Sequence, residues 1–387
     1  MARLGDVFPL VRNGASIKQT DGAAGIPITR IETISNREID RNKFGYADII
    51  DDSKYKDYIL QDGDILMSHI NSEKYLGKVA LYRKQGNEQI IHGMNLLMLR
   101  ANPSVLFPPF ATYFFETPAF LMQIKKITKK SVNQASFTVT SLKEIEIPLP
   151  PLDEQRKIAT VLDKVSSLIA KRRQQLDKLD ELIKARFVEM FGDPVSNSLN
   201  FPLLSLPQLG EFGRGVSKHR PRNAPELLGG KYPLIQTGEV ANSELYISSY
   251  ENTYSEFGFK QSKMWKSGTL CITIAANIAK TAILAFDACF PDSVVGFVAN
   301  EKTNNIFIHY WFGFFQQILE AQAPESAQKN INLKILSELE VIVPPIELQN
   351  HFAAFVEQTE KIKTTINKSL EKLETLKKAL MQEYFGV

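Results

Sequence analysis

With only two cysteines in 387 residues, the chain carries no disulfide framework, and Cys271 and Cys289 are expected to be reduced, buried, small residues. Five scattered histidines and these two thiols fall in no metal-ligand spacing. Long apolar runs are missing as well. Met1 to Gly14 has no apolar core behind a basic start, and the most apolar later stretch, Leu270 to Phe290, is interrupted by Lys280 and Asp287. The expectation is a cytoplasmic protein without a membrane span. An excess of one charge is also lacking: 46 Lys and Arg against 43 Asp and Glu leave a net charge of +3. That balance neither names nor excludes nucleic acid, because a nucleic-acid reader keeps its cations in local patches. With 44% hydrophobic and 23% charged residues the chain should fold throughout, and its length calls for two or more units.

Motifs of chemistry are equally scarce. Gly77-Lys78-Val79 lacks both the spacing and the hydroxyl of a phosphate-binding loop. Phe107-Pro108-Pro109-Phe110 has the prolines of an amino-methylating motif without the polar residue that must precede them, and reads as a turn into a helix around Tyr113. Glu211-Phe212-Gly213-Arg214-Gly215 carries a glycine pair, but no apolar strand runs into it, so a flexible loop is expected. Asp292 and Glu301-Lys302 have the lysine out of register for metal-dependent cleavage, and no Ser-His-Asp or Cys-His arrangement is visible. No catalytic residue, cofactor site or metal site is expected in this chain.

What is present is a repeat. Leu142-Lys-Glu-Ile-Glu-Ile-Pro-Leu-Pro-Pro151-Leu-Asp-Glu-Gln155 matches Leu336-Ser-Glu-Leu-Glu-Val-Ile-Val-Pro-Pro345-Ile-Glu-Leu-Gln349, an offset of 194, and Phe191-Gly192 matches Phe385-Gly386 at the same offset. Upstream, Leu60 to Ser68 answers Trp265 to Thr273, each an apolar run after a Gly turn that reads as a buried strand. Ile26 to Arg30 answers Tyr232 to Gln236, while Tyr113 to Ile127 and Ile308 to Ala321 both read as aromatic-rich helices.

From Ile158 the apolar positions Leu162, Val165, Ile169, Leu176, Leu179 and Ile183 alternate steps of four and three, with Arg172 in one seam position. Pro150-Pro151 blocks helix before this segment, and Gly192 with Pro194 stops it. The second copy has Phe352, Val356, Thr359, Ile366, Leu370, Leu373 and Leu380 at equivalent places. Either helix alone would leave an apolar stripe in water. Pairing is the natural solution, and the domain between the helices leaves room for the chain to return antiparallel. The fold expected is therefore α+β: two mixed α/β domains, residues 1–148 and 193–343, alternating with long helices in residues 149–192 and 344–387. The helices form an antiparallel coiled coil, and the internal repeat has pseudo-two-fold symmetry. Such symmetry suits a target with its own two-fold axis, and duplex DNA is the obvious one.

Gly63-Asp-Ile-Leu, the loop Ser131-Val-Asn-Gln-Ala-Ser136, the run Leu142 to Ile158 with its Pro-Pro-Leu-x-Glu-Gln, and the heptad helix together resemble the specificity subunits of type I restriction-modification enzymes. The resemblance covers essentially the whole chain, in two copies. It implies two target-recognition domains, each reading one half of a split double-stranded DNA site, with the helices setting the spacing and docking two methyltransferase subunits. In the full complex it implies two restriction subunits as well. S-adenosylmethionine, ATP and Mg would be held by the partner subunits. The second copy departs from the pattern: Val343-Pro-Pro-Ile-Glu-Leu-Gln349 lacks the Glu-Gln pair, and Lys363 and Lys377 interrupt the seam, which predicts looser pairing of the C-terminal helix.

Phosphate contact needs Lys, Arg and small hydroxyl or amide groups, and base readout needs Arg, Lys, Asn or Gln that form paired hydrogen bonds. In the first domain Lys129, Lys130, Ser131, Asn133, Gln134 and Ser136 form one such loop, and Ser68, His69, Asn71 and Lys74 follow the apolar strand. In the second domain Lys218, His219, Arg220 and Arg222 form a compact basic run. Gln328, Lys329, Asn330 and Asn332 sit where the first domain has its Asn-Gln loop, and Asn277 with Lys280 follows the corresponding strand. Helix residues Asp153 to Glu189 are assigned to partner binding. The competing reading is a coiled-coil scaffold that binds protein and not DNA.

Overall fold

The computed structural model describes residues 1–19, 25–35, 37–47, 49, 53–131, 134–275, 278–322, 331 and 333–386. The chain forms two compact units, Met1–Arg172 with Ser369–Val387, and Arg173–Lys368.

In the first unit the strands Leu10–Asn13, Leu96–Arg100, Ile65–Ser68 and Val79–Leu81 lie side by side and antiparallel, and Glu38–Ile39 and Ile34–Ser35 extend the sheet. Side chains alternate between the faces of a strand, so a run such as Ile-Leu-Met that is buried throughout must be covered on both sides. Ile65, Met67, Leu97 and Leu99 accordingly face one core with Phe110, Tyr113, Phe114, Phe115 and Phe120, while Leu66, Leu96 and Met98 face another. The second unit repeats the order with Gly210–Arg214, Val294–Ala299, Leu270–Thr273 and Thr281–Leu284, followed by Tyr246–Ile247. Leu270 and Ile272 enter one core there and Cys271 the other, which is why that thiol is fully buried. Gly63 and Gly268 adopt φ of +89° and +87° in equivalent turns, a region in which a Cβ is strained.

Two expectations about the domains are corrected. Residues 211–215 are not a flexible loop: Gly210–Arg214 is an antiparallel strand in continuous register with Val295 to Ala299, because a long-range partner supplies the pairing that the local glycines do not suggest. The segment Tyr113 to Ile127 is not one helix but parts of two, Pro108–Phe114 and Pro118–Ile127. Pro118 cannot continue a helix, and the buried Thr117 ahead of it caps the second one, its side chain accepting from the Phe120 amide.

The long helices span Leu152–Phe191 and Ile346–Phe385, 40 residues each, or roughly 60 Å. In the first unit Ile158, Ala159 and Leu162 share a core with Phe385, near the end of the second helix. In the second unit Ile183, Phe187 and Phe191 share a core with Phe352, Ala353 and Val356, near its start. The helices therefore run antiparallel. Lys363 does not loosen the seam as expected. It is 3% exposed and its ammonium meets Asp180 at 2.8 Å, Glu360 at 3.0 Å and Glu244. Burial works against the charge, but these three carboxylates outweigh it and raise the Lys363 pKa.

The second copy also keeps what matters in the Glu-Gln signature. Gln155, fully buried, accepts from the Phe107 amide at 2.8 Å and donates to the Val105 and Pro150 carbonyls at 2.9 and 2.8 Å. Gln349, also fully buried, accepts from the Thr303 hydroxyl and the Asn304 amide and donates to the Lys302 and Pro344 carbonyls. Each side chain ties the start of a long helix to the loop that enters the preceding domain's aromatic helix. Gln155→Ala or Gln349→Ala would orphan several buried backbone groups, so each is expected to cost about 3 to 5 kcal/mol, read as a lowered urea midpoint. Gln→Glu, which keeps only the acceptor side, should be nearly as damaging.

Candidate nucleic-acid interface

The structure brings two of the candidate loops of the first domain together. Lys129–Lys130 pairs with Ala135–Ser136, which pairs in turn with Ile70–Asn71, forming a small three-stranded sheet. Lys129, Lys130, Ser131 and Gln134 are exposed on it. Ser131 donates through both its amide and its hydroxyl to the Gln134 carbonyl, a turn that holds the hairpin. Lys130 reaches Glu73 at 2.7 Å and lowers that carboxylate's pKa. Ser68 and His69 lie beneath this surface, both buried. Burial pulls the His69 pKa down to about 4, so at neutral pH the ring adds no positive charge. Asn71 accepts from the Ser72 amide. Lys74 and Lys78 stand 4.8 and 4.5 Å from the ring of Tyr75, an exposed aromatic that a search for charge alone passes over. The sequence held a signal for it, an aromatic between two lysines. Asn133 lies outside the described residues.

In the second domain Lys218, His219, Arg220 and Arg222 remain together. The Lys218 and His219 amides both donate to Gln261, at 2.6 and 3.0 Å, and Arg220 donates to the Ser217 and His219 carbonyls. Arg220 and Arg222 share one carboxylate, Asp292, at 3.5 and 2.5 Å, so the run keeps an excess of positive charge. Lys280 is exposed at the end of a tight connection in which its backbone amide donates to the Thr273 hydroxyl. Asn277, Gln328, Lys329, Asn330 and Asn332 lie outside the described residues. Ile331, between them, donates its amide to the Ile274 carbonyl at 3.0 Å. The first domain has the same bond, Phe137 amide to His69 carbonyl at 3.2 Å, with Phe137 in the position equivalent to Ile331.

The long helices carry a second apolar stripe outside their seam. Val161, Leu168 and Leu182, seven and fourteen residues apart, are between 37 and 48% exposed. At the offset of the repeat stand Phe355, Ile362 and Leu376, of which Ile362 and Leu376 are likewise exposed. None of these residues belongs to the seam predicted from the sequence, although their heptad spacing is visible there.

Duplicated sheet domains that carry basic runs, on paired long helices with an exposed apolar stripe, define a class of protein that recognises and docks. The model of the type I restriction modification DNA specificity domain matches residues 1–181 and 206–377, and the chain belongs to that family. It is 30% identical over 98% of its length, and 90% of the other's, to the “Putative type I restriction enzyme MjaX specificity subunit” of Methanocaldococcus jannaschii. It is 27% identical, over 38% of this chain and 32% of the other, to the type I restriction enzyme EcoKI specificity subunit of Escherichia coli strain K12. The crystal structure of the type-I restriction-modification system S subunit from M. genitalium has the same fold, with a TM-score of 0.59 at 16% identity over 99% of this chain and 95% of that one. Among the described residues no helix is long and apolar enough to cross a membrane.

Proposed function

We propose that this chain is the cytoplasmic DNA-reading subunit of a type I restriction-modification complex, that each domain reads one half of a split duplex site, and that the chain contributes no chemistry of its own. The observation that carries this reading is the equivalence of the two candidate edges. In both domains the residue after the polar loop bonds to the end of the buried strand, through Phe137 and His69 in one and Ile331 and Ile274 in the other. A duplicated edge is what two half-sites require. Lys129, Lys130, Lys218, Arg220, Arg222 and Lys280 supply phosphate contact, and Ser131, Asn133, Gln134, Asn277, Gln328, Asn330 and Asn332 are the readout candidates. Ser136, Asn71, Lys74 and His219 complete the two surfaces, and Lys329 is a further candidate for phosphate contact. The exposed stripes dock two methyltransferase subunits, which carry S-adenosylmethionine and methylate adenine N6. Two restriction subunits then hold ATP and Mg.

Mapping N6-methyladenine in cells with and without this chain tests the reading, since loss of one bipartite motif is expected. Replacing Lys129, Lys130, Lys218, Arg220 and Arg222 by Gln should weaken duplex binding by the assembled complex. It should also flatten the salt dependence, by about 0.9 in log K against log salt for every phosphate that is no longer neutralised. Unchanged binding and slope would favour a scaffold that binds only protein.

A further inference from the structure

The sequence holds 24 phenylalanines, and among the described residues Phe257 is the only one that ranks with the exposed large hydrophobics, at 52%. The ring stands on a short helix that is fixed tightly to its support. The helix Glu256–Lys260 starts from Ser255, whose hydroxyl oxygen accepts from the Gly258 amide while its hydroxyl donates to the Glu226 carbonyl at 2.6 Å. At Gly258 a Cβ would lie 2.2 Å from the Leu227 carbonyl oxygen, so the helix sits as close to its support as backbone allows. Just past the helix, Gln261 accepts from the amides of Lys218 and His219. The His219 ring meets the Phe257 ring edge-on at 5.7 Å. The phenyl ring thus stands beside the basic run 218–222, in which Arg220 and Arg222 pair with Asp292 and His219 lies 3.4 Å from Glu226.

We infer that Phe257 touches bases: with the neighbouring basic run on the phosphates, its ring packs on a thymine methyl in the half-site read by the second domain. The inference rests on the DNA-reading function proposed above and adds to it a contact that charge cannot supply. Cations reach the phosphates of any sequence, whereas an apolar ring rewards a methyl-bearing step and leaves the polar edges of other base pairs unpartnered. A protein surface is the other class of occupant, and the positive excess of the run beside the ring, Lys218, Arg220 and Arg222 against Asp292 and Glu226, favours the duplex.

The test uses the complex assembled with its methyltransferase and the duplex methylated in cells. Phe257→Ala should lower affinity for that duplex about tenfold or more while leaving the salt slope unchanged, because every phosphate keeps its cation. Lys218→Gln in the same assay should flatten the slope. Replacing thymines of the second half-site by uracil, one at a time, should reproduce the loss in the native protein at one position and have no further effect in Phe257→Ala. Phe257→Leu, which keeps apolar volume, should retain part of the affinity. Equal affinity of Phe257→Ala and the native protein overturns the inference, as does impaired assembly with the methyltransferase at unchanged duplex affinity. Failure of the native complex to bind any duplex defeats the DNA-reading function itself, and the two failures are thereby distinguished.

Discussion

Exchanging residues 1–148 for the corresponding domain of another family member is expected to change one half of the methylated motif and leave the other half intact. The candidate contacts of the first domain are internal to it, because strand Lys129–Lys130 pairs with Ala135–Ser136 and that strand with Ile70–Asn71, all within residues 1–148. The junction is equally local. Gln155 holds the backbone at residues 105 and 107, Tyr113 donates to Asp163 at 2.6 Å, and Phe110 and Phe114 pack on Phe385. Of the side chains in this junction, Phe110, Phe114 and Tyr113 belong to the exchanged segment, so a donor that keeps aromatic groups there should dock without repacking the helices. Methylome sequencing reads the outcome, and alteration of both halves would defeat the modular reading.

The second large effect is expected on the helices. Leu168→Glu combined with Ile362→Glu should abolish methylation at every site while the isolated chain unfolds at its native temperature. Both side chains are nearly half exposed in the free protein, so a carboxylate there meets water and costs the fold little. In a docked interface each site loses about 1.5 to 3 kcal/mol of apolar burial and gains an unpaired buried charge, which costs more still. Size-exclusion chromatography with the methyltransferase and thermal melting of the chain alone make the check. Intact co-elution would remove the stripe from the docking surface. A lowered melting temperature would mean that the stripe belongs to the fold.

How much of this was legible depended on range. Helix limits were readable because Pro151 and Gly192, or Pro345 and Gly386, act on their immediate neighbours. The strand Leu270–Thr273 was readable because four consecutive buried positions after a turn glycine leave few alternatives. Strand Gly210–Arg214 was not, since its pairing partner lies more than eighty residues on. Lys363 misleads for a related reason. A lysine in a seam looks disruptive until Asp180 and Glu244, both distant in sequence, are found beside it.

By itself the amino-acid order determined that there are two copies of one module, where their helices start and stop, and which residue types could meet a duplex. Periodicity, proline and glycine act over a few residues, so no fold is needed to see them. Only the tertiary structure decided that Ser68 and His69 are buried, that residues 70–71 and 135–136 form one surface, and that Gln261 clamps the basic run beside Phe257. Those outcomes depend on side-chain direction and on pairing across long stretches of chain, and they are settled by whichever packing buries the most apolar surface while leaving the fewest polar groups unpaired.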